Sequence, residues 1–219
     1  MKKQTTLLNT KKKQTLIVGL AAFLLFILWT AAARFIDVSS IGPNGSSVGF
    51  AAFNGWFHRV TGVHMLLYVI TDWLGLVPIA FILGFAVLGL VQWIRRKSLF
   101  KVDRSLLVLG VFYLLVMALY LFFESYVINY RPVLIDGFLE ASYPSSTTLL
   151  VMSVIPTAIL QLNGRILRSR IRTAICILLT VFMVFMVTAR LVSGVHWATD
   201  IVGGAVLSLA LVAFYVSAA

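Results

Sequence analysis

The chain has 219 residues, 61% of them hydrophobic and only 11% charged, with a net charge of +11. A water-soluble core of this size cannot bury so much apolar surface, so the composition excludes an ordinary soluble domain and calls for lipid as a solvent. The excess of positive charge is not by itself a nucleic-acid signature, because its position along the chain decides its role.

Apolar runs of about 20 residues, the length needed to cross a bilayer, recur six times. The first is predicted from about Leu16 to Ile36, behind a basic segment over residues 1–15. It exceeds the roughly 7–15-residue core of a secretory signal, and Arg34-Phe35-Ile36-Asp37 lacks a small-residue cleavage pattern, so it reads as a span. A loop rich in Ser, Gly and Asn follows, from Ser39 to Ser47, and its Pro43-Asn44-Gly45 turn rules out a continuous helix. Trp56, Val60, Val63, Leu67 and Ile70 then recur at helical spacing. That pattern predicts an amphipathic helix at the outer leaflet between the first two spans, carrying His58, Arg59 and His64 as solvated or headgroup-facing side chains.

The second span is predicted from about Leu74 to Ile94, the third from Ser105 to Phe123 and the fourth from Thr148 to Leu162. The fifth runs from Thr173 to Ala189 and the sixth from Trp197 to Val216. None of these runs alternates with period two, and in lipid each backbone amide must find a partner within its own segment. The expected fold is therefore all-α, a six-transmembrane helical bundle forming a single domain over residues 1–219. Cys176 is the only cysteine, which excludes an intrachain disulfide and a cysteine-based metal site.

Fourteen of the 18 basic residues fall in three segments. Lys2, Lys3, Lys11, Lys12 and Lys13 precede the first span; Arg95, Arg96, Lys97, Lys101 and Arg104 lie between the second and third; Arg165, Arg168, Arg170 and Arg172 lie between the fourth and fifth. Six spans put all three segments on one side, which the positive-inside rule makes cytoplasmic, with both termini. Arg34, Arg59, Arg131 and Arg190 are left for the rest of the molecule, together with every acid except Asp103. The predicted location is a cell membrane, with the polar chemistry on the extracytoplasmic face.

Two outer segments hold that chemistry. Between the third and fourth spans lie Glu124, Arg131-Pro132, Asp136, Glu140 and then Tyr143-Pro144-Ser145-Ser146-Thr147. Pro144 followed by hydroxyl residues signals a helix start, with Ser145 or Ser146 as the N-cap. A helix N-terminus offers free amides and the positive end of a dipole, both favourable to an anion, and Arg131 adds a planar guanidinium suited to phosphate oxygens. Before the sixth span come Arg190, His196 and Asp200. If that helix begins near Val195, His196 and Asp200 are one turn apart on one face, so the carboxylate holds one imidazole nitrogen and frees the other. That is the preparation a histidine nucleophile needs. A purely structural ion pair between Asp200 and Arg190 is the alternative.

These residues resemble the type 2 phosphatidate phosphatase superfamily, which also includes soluble vanadium haloperoxidases. Its motifs read Lys-x6-Arg-Pro, Pro-Ser-Gly-His and Ser-Arg-x5-His-x3-Asp; this chain matches them at Arg131-Pro132, at Pro144-Ser145, and at Arg190, His196 and Asp200. The resemblance implies a six-helix membrane fold in which the third-motif histidine attacks phosphorus, its aspartate orients it, and the arginines and second-motif amides hold phosphate. It implies no metal and no cofactor. The chain departs from the motifs at Glu124 for the lysine, Ser146 for the glycine, Thr147 for the general-acid histidine and Ala189 for the serine.

Carried over residue by residue, the resemblance gives His196, Asp200 and the Thr147 position as the catalytic set. Arg131, Arg190, Ser145, Ser146 and Glu124 form the phosphate-binding set. The implied partner is a membrane lipid phosphate or diphosphate, an isoprenoid diphosphate such as undecaprenyl diphosphate in particular, and not a nucleic acid. A threonine hydroxyl is too weak an acid to protonate a leaving group near neutral pH, so a second function stays open: a family member that binds or translocates a phospholipid without cleaving it.

Overall fold

The computed structural model describes the backbone of residues 2–219 and the side chains of residues 10–219. Lys2 and Lys3, read above as part of the basic N-terminal segment, have side chains outside the described residues. The described residues form α1 (Lys2–Phe35), α2 (Ala51–Thr61), α3 (Met65–Leu74), α4 (Leu76–Arg96), α5 (Arg104–Ser125), α6 (Ser146–Asn163), α7 (Ser169–Val192) and α8 (Ala198–Ala218). Six segments are long and apolar enough to cross a membrane, namely Thr10–Phe35, Met65–Arg96, Arg104–Ser125, Ser146–Asn163, Ser169–Val192 and Ala198–Ala218. The all-α, six-span expectation holds, and the chain is a membrane protein.

The helix ends follow from local chemistry. Ser145 caps α6, its Oγ accepting from the Thr148 N–H at 3.4 Å. Asp200 closes the first turn of α8, its Oδ2 accepting from the Trp197 N–H at 3.1 Å. Arg95 and Arg96 occupy the last turn of α4, where cations offset the negative end of the helix dipole.

α6 and α8 form the centre of the bundle. Half or more of their most apolar stretch is buried, 56% and 50%, against 11% for the span built from α3 and α4. α1 packs along α8, and α6 lies against both α7 and α8. Phe26 of α1, Leu109 and Phe112 of α5, Leu149 and Val154 of α6 and Leu207 of α8 share one buried cluster. Leu83, Leu114 and Leu178 face outward, as lipid-facing positions should. Polar side chains inside the bundle are paired across helices, Tyr113 with Thr157 and Ser153 with Ser208, because lipid offers them no alternative partner.

One predicted element is divided. The helical pattern from Trp56 to Ile70 forms two helices rather than one: α2 ends at Thr61, and Leu67 and Ile70 belong to α3, part of the second span. The break is at Gly62, whose φ of +70° is open to glycine and strained for other residues. Gly194, at φ +68°, packs against it so closely that a Cβ there would lie 2.0 Å from the Gly62 carbonyl oxygen. The His64 N–H donates to Ser193 O at 2.8 Å, and His58 Nε2 lies 3.1 Å from Gly194 O. The α2–α3 corner is thereby fastened to the turn between α7 and α8, which brings α3 beside the end of α7 that carries Arg190.

The bundle has two unlike ends. At one, the basic loops gather around Asp103, which accepts from Gln92 and pairs with Arg96 at 2.9 Å and Arg165 at 3.8 Å. The Gln92 hydrogen bond, then that of Arg96, hold this carboxyl below its usual range. At the other end lie α2, the loop from Tyr126 to Ser145 and the turn from Ser193 to Trp197.

Candidate active site

The loop between α5 and α6 folds back on itself. The Arg131 N–H donates to Glu140 O at 3.0 Å and the Ser142 N–H to Asn129 O at 2.9 Å, so Asn129, Arg131 and Ser142 are held on a short two-stranded excursion. Trp197 Nε1 donates to Tyr130 O at 2.8 Å, and the Ser145 N–H donates to Asp200 O at 3.0 Å. These contacts press the excursion onto the start of α8. Asn129, Arg131, Ser142, Ser145, Arg190, His196 and Asp200 are all buried.

The structure brings His196 and Asp200 together, by a route other than the one their spacing predicts. α8 begins at Ala198 rather than near Val195, and Trp197 is extended at φ −70°, ψ 149°. His196 therefore lies outside the helix, and the one-turn rule does not apply to it. Ser142 stands between the two residues: its Oγ is 2.9 Å from His196 Nδ1 and donates to Asp200 Oδ2 at 2.6 Å. Asp200 also accepts from Asn129 Nδ2 at 3.0 Å.

His196 Nε2 is buried and has no hydrogen-bond partner among the described residues; the same holds for Arg131 Nε and Nη1. Glu140 lies 3.1 Å from Arg131 Nε, outside hydrogen-bonding direction, so that pair is a charge contact. Burial first, then the guanidiniums of Arg131 and Arg190, hold His196 well below the ordinary histidine range. Its ring is accordingly neutral at pH 7, which is the form with a free lone pair.

Arg190 is placed differently from Arg131. Its Nε and Nη2 reach Thr147 Oγ1 at 3.1 and 2.6 Å, its Nη1 reaches Tyr68 O and Thr71 Oγ1 at 3.3 and 3.2 Å, and its Nη2 reaches Asp72 at 3.3 Å. A guanidinium has five N–H donors, and all five have partners here. Asp72, not Asp200, is its carboxylate, so the alternative ion pair between Asp200 and Arg190 is not formed. Both guanidiniums lie over the Tyr68 ring, Arg190 at 4.7 Å and Arg131 at 5.7 Å from its centroid.

The remaining sequence candidates divide. Thr147, at the position of the motif acid, accepts from Arg190. Ser145 spends its hydroxyl on the α6 cap, while Ser146 opens α6. Glu124 is exposed at the end of α5 and forms an ion pair with neither arginine among the described residues. His64 folds onto Thr61 O, and His58 braces Gly194 and Trp197. Sequence reasoning missed Ser142, Asn129, Tyr68 and Thr71. For Thr71 and Asp72 a signal existed, polar residues in an otherwise apolar run; for Ser142 and Asn129 nothing local distinguished them from loop residues.

A groove of about 330 Å³ opens beside this cluster, between α3–α4, α5 and α6. Asp72, Ser146 and Thr147 line its polar end, and Leu76, Ile79, Val116, Met117 and Leu150 its apolar body.

The crystal structure of the first transmembrane PAP2 type phosphatidylglycerolphosphate phosphatase from Bacillus subtilis superposes with a TM-score of 0.56, at 22% identity, over 89% of this chain and 92% of that one. At that identity the likeness is one of fold. No curated protein matches the chain at a significant level. Residues 105–219, more than half of the sequence and all of α6, α7 and α8, match the family model of the PAP2 superfamily. The chain belongs to the PAP2 superfamily.

Proposed function

We propose that this protein is a membrane lipid phosphatase that removes a phosphate from an isoprenoid diphosphate through a phosphohistidine on His196. The observation that carries the reading is the pair of buried, unpartnered groups, His196 Nε2 and Arg131 Nη1, beside the N-terminus of α6. A neutral imidazole nitrogen, a guanidinium with free donors and helix-terminal amides together suit a phosphoryl group about to be attacked. The groove, polar at one end and apolar along its length, suits a lipid whose phosphate enters first.

In the first step the Nε2 lone pair forms an N–P bond while the bond from phosphorus to the bridging oxygen breaks, its electron pair leaving with the lipid monophosphate. Water then attacks phosphorus, the N–P pair returns to Nε2, phosphate departs and the water's proton passes to solvent. Arg131 neutralises charge on the transferring group in both steps. Arg190 joins it once the phosphate competes with Asp72 and Thr147 for its donors.

Purified protein in detergent is expected to release phosphate from a polyprenyl diphosphate faster than from the matching polyprenyl monophosphate or from phosphatidylglycerol phosphate. The second reading, lipid binding or translocation without cleavage, is favoured by one observation: Thr147 anchors Arg190 where the family motif has its acid. Saturable lipid binding with no phosphate release from any of the three would establish it and end the first.

The basic loops at the far end of the bundle support placing the site on the extracytoplasmic face. In a Cys176→Ser background, Ser47→Cys should react with an impermeant thiol reagent added outside cells and Lys97→Cys should not. Reaction of the Lys97→Cys variant alone would invert the orientation.

A further inference from the structure

Ser142 precedes the matched Pro144-Ser145 and carries no motif role, yet it is the group that joins His196 to Asp200. Its Oγ lies 2.6 Å from Asp200 Oδ2 and 2.9 Å from His196 Nδ1, and its backbone oxygen lies 3.2 Å from the same nitrogen. Hydroxyl protons and imidazole tautomers are settled by counting donors. Asp200 already receives the Asn129 amide and the Trp197 N–H, as an ionised carboxylate does, and accepts the one proton of the Ser142 hydroxyl. Towards His196 that oxygen has only lone pairs to offer. The backbone oxygen can only accept as well, so two groups of one residue both require the proton on Nδ1. Nε2 is then left bare, and it is the buried nitrogen without a partner.

We propose that Ser142 is a positioning residue for phosphoryl transfer, fixing the reactive tautomer of His196 and passing the charge of Asp200 to the ring. This rests on the assignment of His196 as nucleophile made above. As the N–P bond forms, the bridging P–O bond breaks and positive charge develops on the imidazole. The Nδ1–H···Oγ and Oγ–H···Oδ2 hydrogen bonds both strengthen, with no proton leaving the ring. The serine is held for this task. Its N–H is bound to Asn129 O at 2.9 Å, and the next residue, Tyr143, packs its ring where a Cβ on Gly203 would lie 2.6 Å away.

The test uses the full-length protein in detergent. Ser142→Ala is expected to lower kcat by about 10- to 100-fold, the worth of a hydrogen bond to a group that becomes charged, with KM within about twofold, as expected for an interaction that strengthens only in the transition state. Ser142→Thr, which restores the hydroxyl, should recover most of the rate. An independent readout is the Nδ1 proton itself. With ¹⁵N-labelled histidine and only three histidines in the chain, His196 should be a single Nδ1–H tautomer in the parent. In Ser142→Ala the backbone oxygen at 3.2 Å still accepts that proton, so the tautomer should persist while the Nδ1 proton resonance moves upfield, because the 2.9 Å hydrogen bond to Oγ is lost. An Nε2–H tautomer in the parent or an unmoved Nδ1 proton in Ser142→Ala overturns the proposal, as does an unchanged kcat. If the parent releases no phosphate, the assigned reaction fails while the Nδ1 proton still decides on Ser142.

Discussion

His196→Ala is expected to lower phosphate release by about 10⁴-fold or more, the scale on which removal of a covalent nucleophile acts. Among the described residues the other unpartnered buried nitrogens belong to Arg131, a guanidinium with donors and no lone pair to attack with, so the variant must rely on direct attack by water on a phosphate that is still clamped. Binding should survive, because Arg131 and the amides of the first turn of α6 are untouched. His196 is 3% exposed, and its loss leaves a cavity, so the decisive comparison includes His196→Gln, which fills most of the volume. Both variants should bind the lipid diphosphate with near-parental affinity and both should fail to form an acid-labile phosphoenzyme. Equal turnover in parent and variants removes His196 from the chemistry.

Thr147→His is expected to raise monophosphate turnover by about 10²–10⁴-fold, the usual worth of general acid catalysis, and diphosphate turnover by less. The leaving group sets the difference. A lipid monophosphate substrate expels an alkoxide, which needs a proton in the transition state. A diphosphate expels a phosphate monoester, whose second pKa is about 6, and which departs with little help. Thr147 borders the polar end of the groove, on the side from which the lipid would leave. The substitution also removes the acceptor of the Arg190 Nε and Nη2 donors, and Thr147→Val isolates that loss because it keeps the shape without hydroxyl or imidazole. Equal gains on both substrates in Thr147→His would place the residue away from the leaving group.

How the two arginines differ bears on both experiments. Arg131 has free donors, whereas Arg190 is fully engaged by Tyr68, Thr71, Asp72 and Thr147. A phosphate group that recruits Arg190 must compete with Asp72, the exposed partner of a buried guanidinium. The carboxylate can retreat into water at small cost, because an exposed member of such a pair is easily solvated.

The sequence by itself determined the solvent and the six spans, and it named Arg131, Arg190, His196 and Asp200 as candidates. Hydropathy does so for the spans because a bilayer tests each segment separately, with every backbone amide paired within its own helix. The family motifs single out the four candidates because their spacing is local to two loops. Tertiary structure decided how those residues are connected. The four-residue spacing from His196 to Asp200 predicts one helical turn, but α8 starts two residues after His196, and the Asp200 carboxylate is turned back onto the Trp197 N–H. The space between imidazole and carboxylate is filled by Ser142, 54 residues from His196 in the chain. Glu124, seven residues from Arg131, forms no ion pair with it; Glu140, across the folded excursion, does. Arg190 takes its carboxylate from Asp72, 118 residues away, because Gly62 and Gly194 pack backbone to backbone and set α3 beside α7. Contacts of that kind depend on which chain segments meet, and no periodicity within a single segment encodes them.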